Sequence, residues 1–176
     1  MSEPTKYLID ANVLIQAKRH HYRFNICPGF WDALVHFHHQ GLLYSIDKVR
    51  DEILDGDKGD DVRRWVIEEA PRKFFRKTGN ADVEHAFSRT MAWVGAQERY
   101  KEHAIAKYAA SPDARLVAYA TLHADEYFVV THEQERPESK AVVQIPDVCR
   151  AMDVKCIPPF DMLSKFDVLF ESSYGE

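Results

Sequence analysis

Four acidic residues stand at positions where a carboxylate could do chemistry. The stretch KYLIDANVLI reads as a buried strand whose apolar run is interrupted by Asp10. Glu52 lies on the flank of an apolar helical stripe, Asp113 lies at the start of a helix, and Glu133 follows the apolar run YFVVT. A buried carboxylate is costly unless it is paired, hydrogen-bonded or bound to a metal. Asp10 therefore needs a partner elsewhere in the chain or in a ligand.

Together these acids predict a metal site. Carboxylates that are brought close together repel one another, and their pKa values rise unless a cation lies between them. Hard oxygen ligands suit Mg²⁺ or Mn²⁺, which bind through a few carboxylates and keep several waters. Such an ion lowers the pKa of a bound water and stabilises the transition state of phosphoryl transfer.

Each acid also has a plainer interpretation. Glu52 can be a solvated helix glutamate, Asp113 can be a helix-start charge, and Glu133 can be part of a loop. Asp10 is harder to explain in this way, because it interrupts an apolar strand.

The elements that must position the acids are apolar strands alternating with helical stretches. Strands are predicted over residues 7–9 and 42–46 and in the segments EYFVVT, AVVQIP and VKCIP. Helices are predicted over residues 29–41, as one long or two shorter helices over 81–110, and in the segments DKVRDEIL, VRRWVIEEA, SPDARLVAYATLHA, DVCRAM and FDMLSKFDVLF. This alternation indicates an α/β fold with a parallel sheet, in which sites form beyond the carboxyl ends of the strands.

Several helix boundaries carry their own signals. Gly41 is a natural stop for the helix before it. Ser45 or Asp47 is a candidate cap for the helix DKVRDEIL, and Ser111 is a candidate cap for the helix that carries Asp113. Pro112 would then occupy the first helical position, and the helix dipole would favour the negative charge that follows it.

Composition limits the class of protein. The chain of 176 residues with a hydrophobic fraction of 45% fits one domain over residues 1–176. Its net charge of −5 argues against a general polycation for nucleic acid, but leaves room for a local basic groove. The three cysteines show no CxxC spacing, which favours free thiols in a reducing compartment. Because no signal peptide or membrane-length apolar run is evident, we expect a cytoplasmic protein.

The order of the acidic motifs resembles that of the PIN-domain nucleases, especially the VapC-like toxins of toxin–antitoxin pairs. The family opens with a strand carrying Asp and, two positions later, Asn or Ser, here LIDANVLI with Asp10 and Asn12. Its second acid is a Glu in V-x-x-E-I or V-x-x-E-L, matched by VRDEIL and Glu52. Its third is an Asp opening a helix, matched by PDARLVAYA and Asp113. Its last signature is a strand ending in Thr with an acid shortly after, here FVVTHE.

The resemblance implies a three-layer α/β/α PIN-like fold and cleavage of RNA by a metal-activated water. The residues it implies for catalysis and for holding Mg²⁺ or Mn²⁺, directly or through water, are Asp10, Glu52, Asp113 and Glu133. Glu133 stands where the family more usually has Asp, and Glu135 and Asp147 remain alternatives for this fourth acid.

The resemblance also implies roles for two polar residues and for partners. Asn12 would orient the carboxylate of Asp10, and Thr131 would hydrogen-bond near the substrate phosphate. The partners would be an RNA substrate, an antitoxin encoded as a separate chain, and a second copy of the protein in a homodimer.

Basic clusters offer candidate contacts for an RNA backbone. They are KRHHYR, the pair Arg63 and Arg64, and RKFFRK, in which two phenylalanines interleave with positive charge and could stack on bases. Arg72, Lys73 and Arg115 are the residues we expect to bind substrate. The plainer interpretation of each cluster is a solvated face with core aromatics beneath it.

Two other functions remain open on sequence alone. A phosphatase of the haloacid dehalogenase type also ends its first strand in Asp, but it needs a second Asp two residues later as general acid. Asn12 occupies that position, which disfavours a phosphatase. The other alternative is a PIN-fold module that binds RNA or protein with weak or no catalysis.

Overall fold

A computed structural model describes residues 4–171, and its centre is a parallel sheet. The strands of this part of the chain are β1 Lys6–Ile9, β2 Leu43–Ile46, β3 Phe75–Arg76, β4 Tyr127–Val130 and β5 Cys156–Ile157. Their order across the sheet is β3-β2-β1-β4-β5, and every neighbouring pair is parallel. The expected α/β class with a central parallel sheet is confirmed.

Helices cover both faces of the sheet. Those described are α1 Ala11–Gln16, α2 Pro28–His39, α3 Asp47–Asp55, α4 Asp61–Glu68, α5 Ala81–Ala96, α6 Glu102–Ala110, α7 Pro112–Leu122, α8 Ile145–Ala151 and α9 Pro159–Lys165. A π-helical turn at Ala17–His21 extends α1, and a 3₁₀ turn at Arg72–Phe74 precedes β3. The chain moves outward from β1 to β3 and then continues on the other side of β1, so right-handed crossovers place helices on opposite faces. The fold is a three-layer α/β/α sandwich.

The central strands are apolar because both of their faces are covered. Leu8 and Ile9 of β1 and their partners Val129 and Val130 of β4 are fully buried. This register aligns the carboxyl ends of the two strands, so the residues that follow them come out side by side.

The observed helix boundaries confirm one signal and correct two others. Gly41 follows α2 with a φ of +77°, a conformation that glycine adopts at little cost. The predicted cap of α3 is wrong, because the hydroxyl of Ser45 donates to the Ile9 carbonyl (2.7 Å) and the Asp47 carboxylate accepts from Thr78. Ser111 does hold the N-cap position of α7, but its hydroxyl donates to the Tyr108 carbonyl instead of a helix amide.

Other local predictions were also wrong or incomplete. The segment AVVQIP is not a strand, since Pro146 lies in the first turn of α8 and cannot donate to a strand ladder. The region 81–110 forms two helices, α5 and α6, which confirms the second of the two arrangements predicted for it. The last helix ends at Lys165, and Asp167 follows it in the left-handed region with a φ of 53°.

None of the helices described between residues 4 and 171 has the length and the hydropathy of a membrane span. The assignment of residues 1–176 to one domain stays a prediction. Its first three and last five residues lie outside the described part of the chain.

Replacing Gly41 with alanine should lower the free energy of unfolding by about 1 kcal/mol, because a Cβ is disfavoured at positive φ. Gly95 provides a matched control in α5, where an added Cβ would meet open space. Gly95→Ala should raise the free energy of unfolding by roughly 0.5–1 kcal/mol. Urea denaturation measures both changes, and equal effects of the two substitutions would contradict this account of the turn.

Candidate active site at the carboxyl edge of the sheet

Asp10 follows β1 directly and is fully buried. It is the N-cap of α1, and the main-chain N–H of Asn12 donates to its Oδ1 (3.2 Å). The hydroxyl of Thr131, which follows β4, donates to its Oδ2 (2.9 Å). Capping therefore explains part of why a carboxylate stands at the end of an apolar strand.

These two hydrogen bonds do not compensate for burial. The pKa of Asp10 is raised from 3.8 to about 8, first by burial and then by the charge of Asp113, with a further contribution from Glu133. The hydrogen bonds from Asn12 and Thr131 act in the opposite direction. A carboxylate in this environment is stabilised by an added positive charge.

Asp113 lies in the first turn of α7. Because α7 leads into β4, it runs back against the strands and its N-terminus lies at their carboxyl edge. Burial raises the pKa of Asp113, and the nearby Ser111 side chain and the charge of Lys107 partly offset this. The structure thus brings Asp113 into electrostatic contact with Asp10, as the sequence predicts.

Glu52 lies on α3, which begins immediately after β2. Its side chain is largely exposed, yet the pKa of its carboxyl is raised by desolvation and by the charge of Asp113. Glu52 is therefore the most open member of the acidic group.

Glu133 is held by two main-chain contacts. Its Oε2 accepts from the N–H of Ile145 at the start of α8 (2.7 Å), and its own N–H donates to Thr131 Oγ1 (3.2 Å). Burial raises the pKa of Glu133, the hydrogen bond from Ile145 opposes this, and the charge of Asp113 adds to the rise. Thr131 therefore links Glu133 to Asp10.

A cleft of about 240 Å³ joins three of the acids. Glu52, Asp113 and Glu133 line it together with Lys107 and Tyr108. Asp10 lies beneath this surface and does not line the cleft. Within residues 4–171, no three His, Cys, Asp or Glu side chains are arranged to hold a metal ion. The acids thus lie at one edge of the sheet and influence one another electrostatically, but they do not form a complete set of metal ligands.

The structure shows what the two predicted positioning residues contact. Asn12 supports Asp10 through its main-chain N–H, while its side chain is exposed and lines the cleft. Thr131 is only 1% exposed and donates to Asp10, so it does not reach out toward a substrate phosphate.

The alternatives for the fourth acid are engaged elsewhere. Glu135 pairs with Arg150 (3.1 Å). Asp147 is buried, accepts from the N–H of Arg136 and lies 3.7 Å from the guanidinium of Arg99. Of these three acids, Glu133 is the one that faces Asp113 across the cleft.

The predicted substrate-binding residues are not gathered at the acids. Arg72 and Lys73 are exposed and precede β3, so they lie toward the amino ends of the strands, and they do not line the acidic cleft. The adjacent Phe74 and Phe75 are buried, so they cannot stack on bases. Arg115 lines a groove with Glu52, but its guanidinium pairs with Glu84.

Sequence reasoning missed two residues of the cleft. Lys107 is the cation that acts on Asp113. Tyr108 is fully buried, and its hydroxyl has no hydrogen-bond partner among the described residues. The pKa of Tyr108 is raised well above its usual value by burial, with contributions from Cys149, Asp113 and Glu133. Both residues come shortly before Asp113 in the sequence, and this proximity is the signal that could have identified them.

Comparison with known families adds one assignment. A family model described as Domain of unknown function (DUF4411) matches residues 7–170. The chain belongs to this family. No curated protein matches the chain. All four acids fall within the matched residues, so the acidic edge is part of the DUF4411 domain itself. The description of DUF4411 assigns no activity, and the resemblance to PIN-domain nucleases stays a prediction.

Without divalent cations, the free energy of unfolding should fall as the pH rises from about 4 to about 8. The folded state holds a proton on Asp10, whose pKa is about 8, while the unfolded chain releases it near 3.8. The resulting stability is complete below the unfolded pKa and is lost as the pH rises through the folded pKa.

Asp10→Asn keeps an oxygen for the Asn12 N–H and cannot titrate, so its stability should depend less steeply on pH. Thermal melts in chelator over this pH range measure the difference. Glu135→Gln, a change at an exposed acid outside the cleft, should retain the slope of the unmodified protein. Identical slopes for Asp10→Asn and the unmodified protein would contradict the assignment.

Proposed function

We propose that the protein is an endoribonuclease that depends on Mg²⁺ or Mn²⁺ and hydrolyses phosphodiester bonds of RNA. The observation that carries the proposal is the convergence of Asp10, Asp113 and Glu133 at one edge of the sheet. Burial raises the pKa of all three, and neighbouring acids raise those of Asp10 and Glu133 further. Structural carboxylates are usually paired with cations or with enough hydrogen bonds to lower their pKa. Perturbed acids in a cleft are typical of functional sites.

The donor set fits a hard divalent cation. All four side chains offer carboxylate oxygens, and Mg²⁺ binds through one or two carboxylates while it retains waters. A closed set of three ligands is therefore not needed before binding. The cation would be held by Asp113 and Glu133 at the cleft wall, with Glu52 at its open side. When bound, it supplies a water of lowered pKa and neutralises phosphate charge.

The other residues of the edge position these acids. Thr131 and the Asn12 N–H fix the orientation of Asp10. A cation bound in the cleft above it would favour release of the Asp10 proton, and the resulting carboxylate would in turn stabilise the cation. Lys107 lines the cleft with a positive charge that can contact a phosphate of the substrate. Arg115 can do so in the neighbouring groove only if phosphate competes with Glu84.

The biological setting is part of the same proposal. From the resemblance of its acidic motifs to that family, the protein would be a VapC-like toxin that acts in the cytoplasm. A separate antitoxin would silence it, and it would assemble as a homodimer.

A second candidate is a catalytically weak module that binds RNA or protein. It is favoured by the absence, within residues 4–171, of three acids arranged to hold a metal ion. It is also favoured by the burial of Asp10 below the cleft surface.

Cation binding separates these candidates. Titration with Mn²⁺ in a calorimeter should give heat with the unmodified protein, and Mn²⁺ at a hundredfold excess over Kd should stabilise it by about 2.7 kcal/mol. Asp113→Asn should weaken binding at least about tenfold, since it removes a cleft oxygen charge. Glu135→Gln is the control and should bind as the unmodified protein does. Absence of heat with the unmodified protein would favour the binding module.

Cleavage tests the proposal directly. The purified protein with Mn²⁺ should cut RNA and leave 5′-phosphate and 3′-hydroxyl ends, whereas Asp10→Asn and Asp113→Asn should cut at least about a hundredfold more slowly. Gel analysis of labelled RNA measures the rates, with Glu135→Gln as the active control. Equal cleavage by all four proteins would point to a contaminating nuclease and defeat the proposal.

A further inference from the structure

A second groove begins where the acidic cleft ends. It has a volume of about 600 Å³, and Asn12 and Glu133 line both spaces. Its other walls come from the chain after α1 and from the segment between β4 and α8. The volume lies within the range of roughly 300–1,000 Å³ that is usual for small-molecule sites. We call it the amide groove, because four side-chain amides line it, those of Asn12, Gln16, Gln134 and Gln144. His21 and Arg136 also line it.

The amide groove contains hydrogen-bonding groups that the protein does not use. Among residues 4–171, the side-chain amides of Gln16, Gln134 and Gln144 form no hydrogen bond. Gln144 is only 8% exposed, yet its amide lines the groove without a partner. The amide of Gln144 is not among the buried polar atoms that lack a partner, so what is left of its exposure serves the amide, which can bond a ligand in the groove.

The groups present match the edge of a nucleobase better than a bare phosphate. An amide offers donors and an acceptor side by side, as the edges of unpaired bases do. A phosphate site would be lined mainly by cations, whereas Arg136 is the only Lys or Arg in the described lining and Glu133 lies nearby. Arg136 forms no direct ion pair among residues 4–171, although its charge acts on the nearby Glu133, and its guanidinium can contact a single flanking phosphate.

Aromatic rings stand at one side of the same groove. The ring centroid of His21 lies 5.9 Å from that of His132 and 5.8 Å from that of Phe160. Phe160 is 49% exposed, so one face of this group is open. Unpaired bases stack on such rings.

We infer that the amide groove binds an unpaired nucleobase of the RNA strand whose phosphate lies in the acidic cleft. The inference rests on the proposed function, because it takes RNA as the substrate. Gln144 and Gln16 contact the base edge, the ring of His21 at the groove wall stacks on one face of the base, and Arg136 contacts the neighbouring phosphate. The groove thereby sets a base preference next to the cleavage position.

The test uses the full chain with Asp10→Asn, so that the RNA stays intact, in the presence of Mg²⁺. The probe is a labelled single-stranded RNA about eight nucleotides long, followed by fluorescence anisotropy. A series of abasic probes removes one base at a time. One abasic position should weaken binding by about tenfold, and the others should have little effect.

Adding Gln16→Leu and Gln144→Leu should weaken binding of the intact probe by about tenfold and abolish the extra loss at that abasic position. Circular dichroism checks that the double variant is folded. If Gln144→Leu, the more buried substitution, disturbs folding, Gln16→Ala alone takes its place and should give part of the same loss of binding. Gln40→Leu, just after α2 and outside the groove, is the control and should bind as the parent does. Equal binding of every abasic probe, or equal losses in the groove variants and the control, would overturn the inference.

The outcomes also separate the two proposals. If the unmodified protein cuts no RNA but the base-dependent loss is seen, the amide groove stands and the nuclease proposal fails. If RNA is cut and every abasic probe binds alike, the nuclease proposal stands and the amide groove fails.

Discussion

Burial of the Asp10 carboxylate is the constraint on which the rest of the site depends. The parallel register of β1 and β4 brings Asp10 and Thr131 together at the ends of two apolar strands. Thr131 and the Asn12 amide supply hydrogen bonds, yet the pKa of Asp10 remains raised to about 8. The fold therefore holds a carboxylate that its own groups only partly stabilise, and an external cation is the simplest remaining source of stabilisation.

The sheet acts as the positioning device for the other acids. Asp113 opens the helix that returns to β4, Glu52 lies on the helix that leaves β2, and Glu133 follows β4. Each comes from a different crossover, and all reach the same edge because the strands are parallel. A slip of one residue in the β1–β4 pairing would move Thr131 away from Asp10 and turn the alternating side chains to the other face.

Local patterns were enough to predict the α/β class, the strand before Asp10, the glycine stop of α2 and the helix that begins at Pro112. They could not predict the two-residue β3, which forms only because β2 offers it an edge. The strand predicted in AVVQIP failed because the proline begins a helix. The residues of the site show the same limit of local patterns. The types of the acids pointed to one edge, but the pairing of Arg115 with Glu84 joins residues that are distant in the chain and leaves no local signal.

The contact between Glu133 and Ile145 limits what this glutamate can do. One of its two oxygens is already occupied by the first amide of α8. That oxygen keeps a second lone pair, and the other oxygen has no hydrogen-bond partner among the described residues, so an occupant of the cleft meets a carboxylate of fixed orientation. Turning the carboxylate toward a ligand would lengthen its bond to Ile145, so occupation of the cleft and the position of the α8 terminus are mechanically coupled.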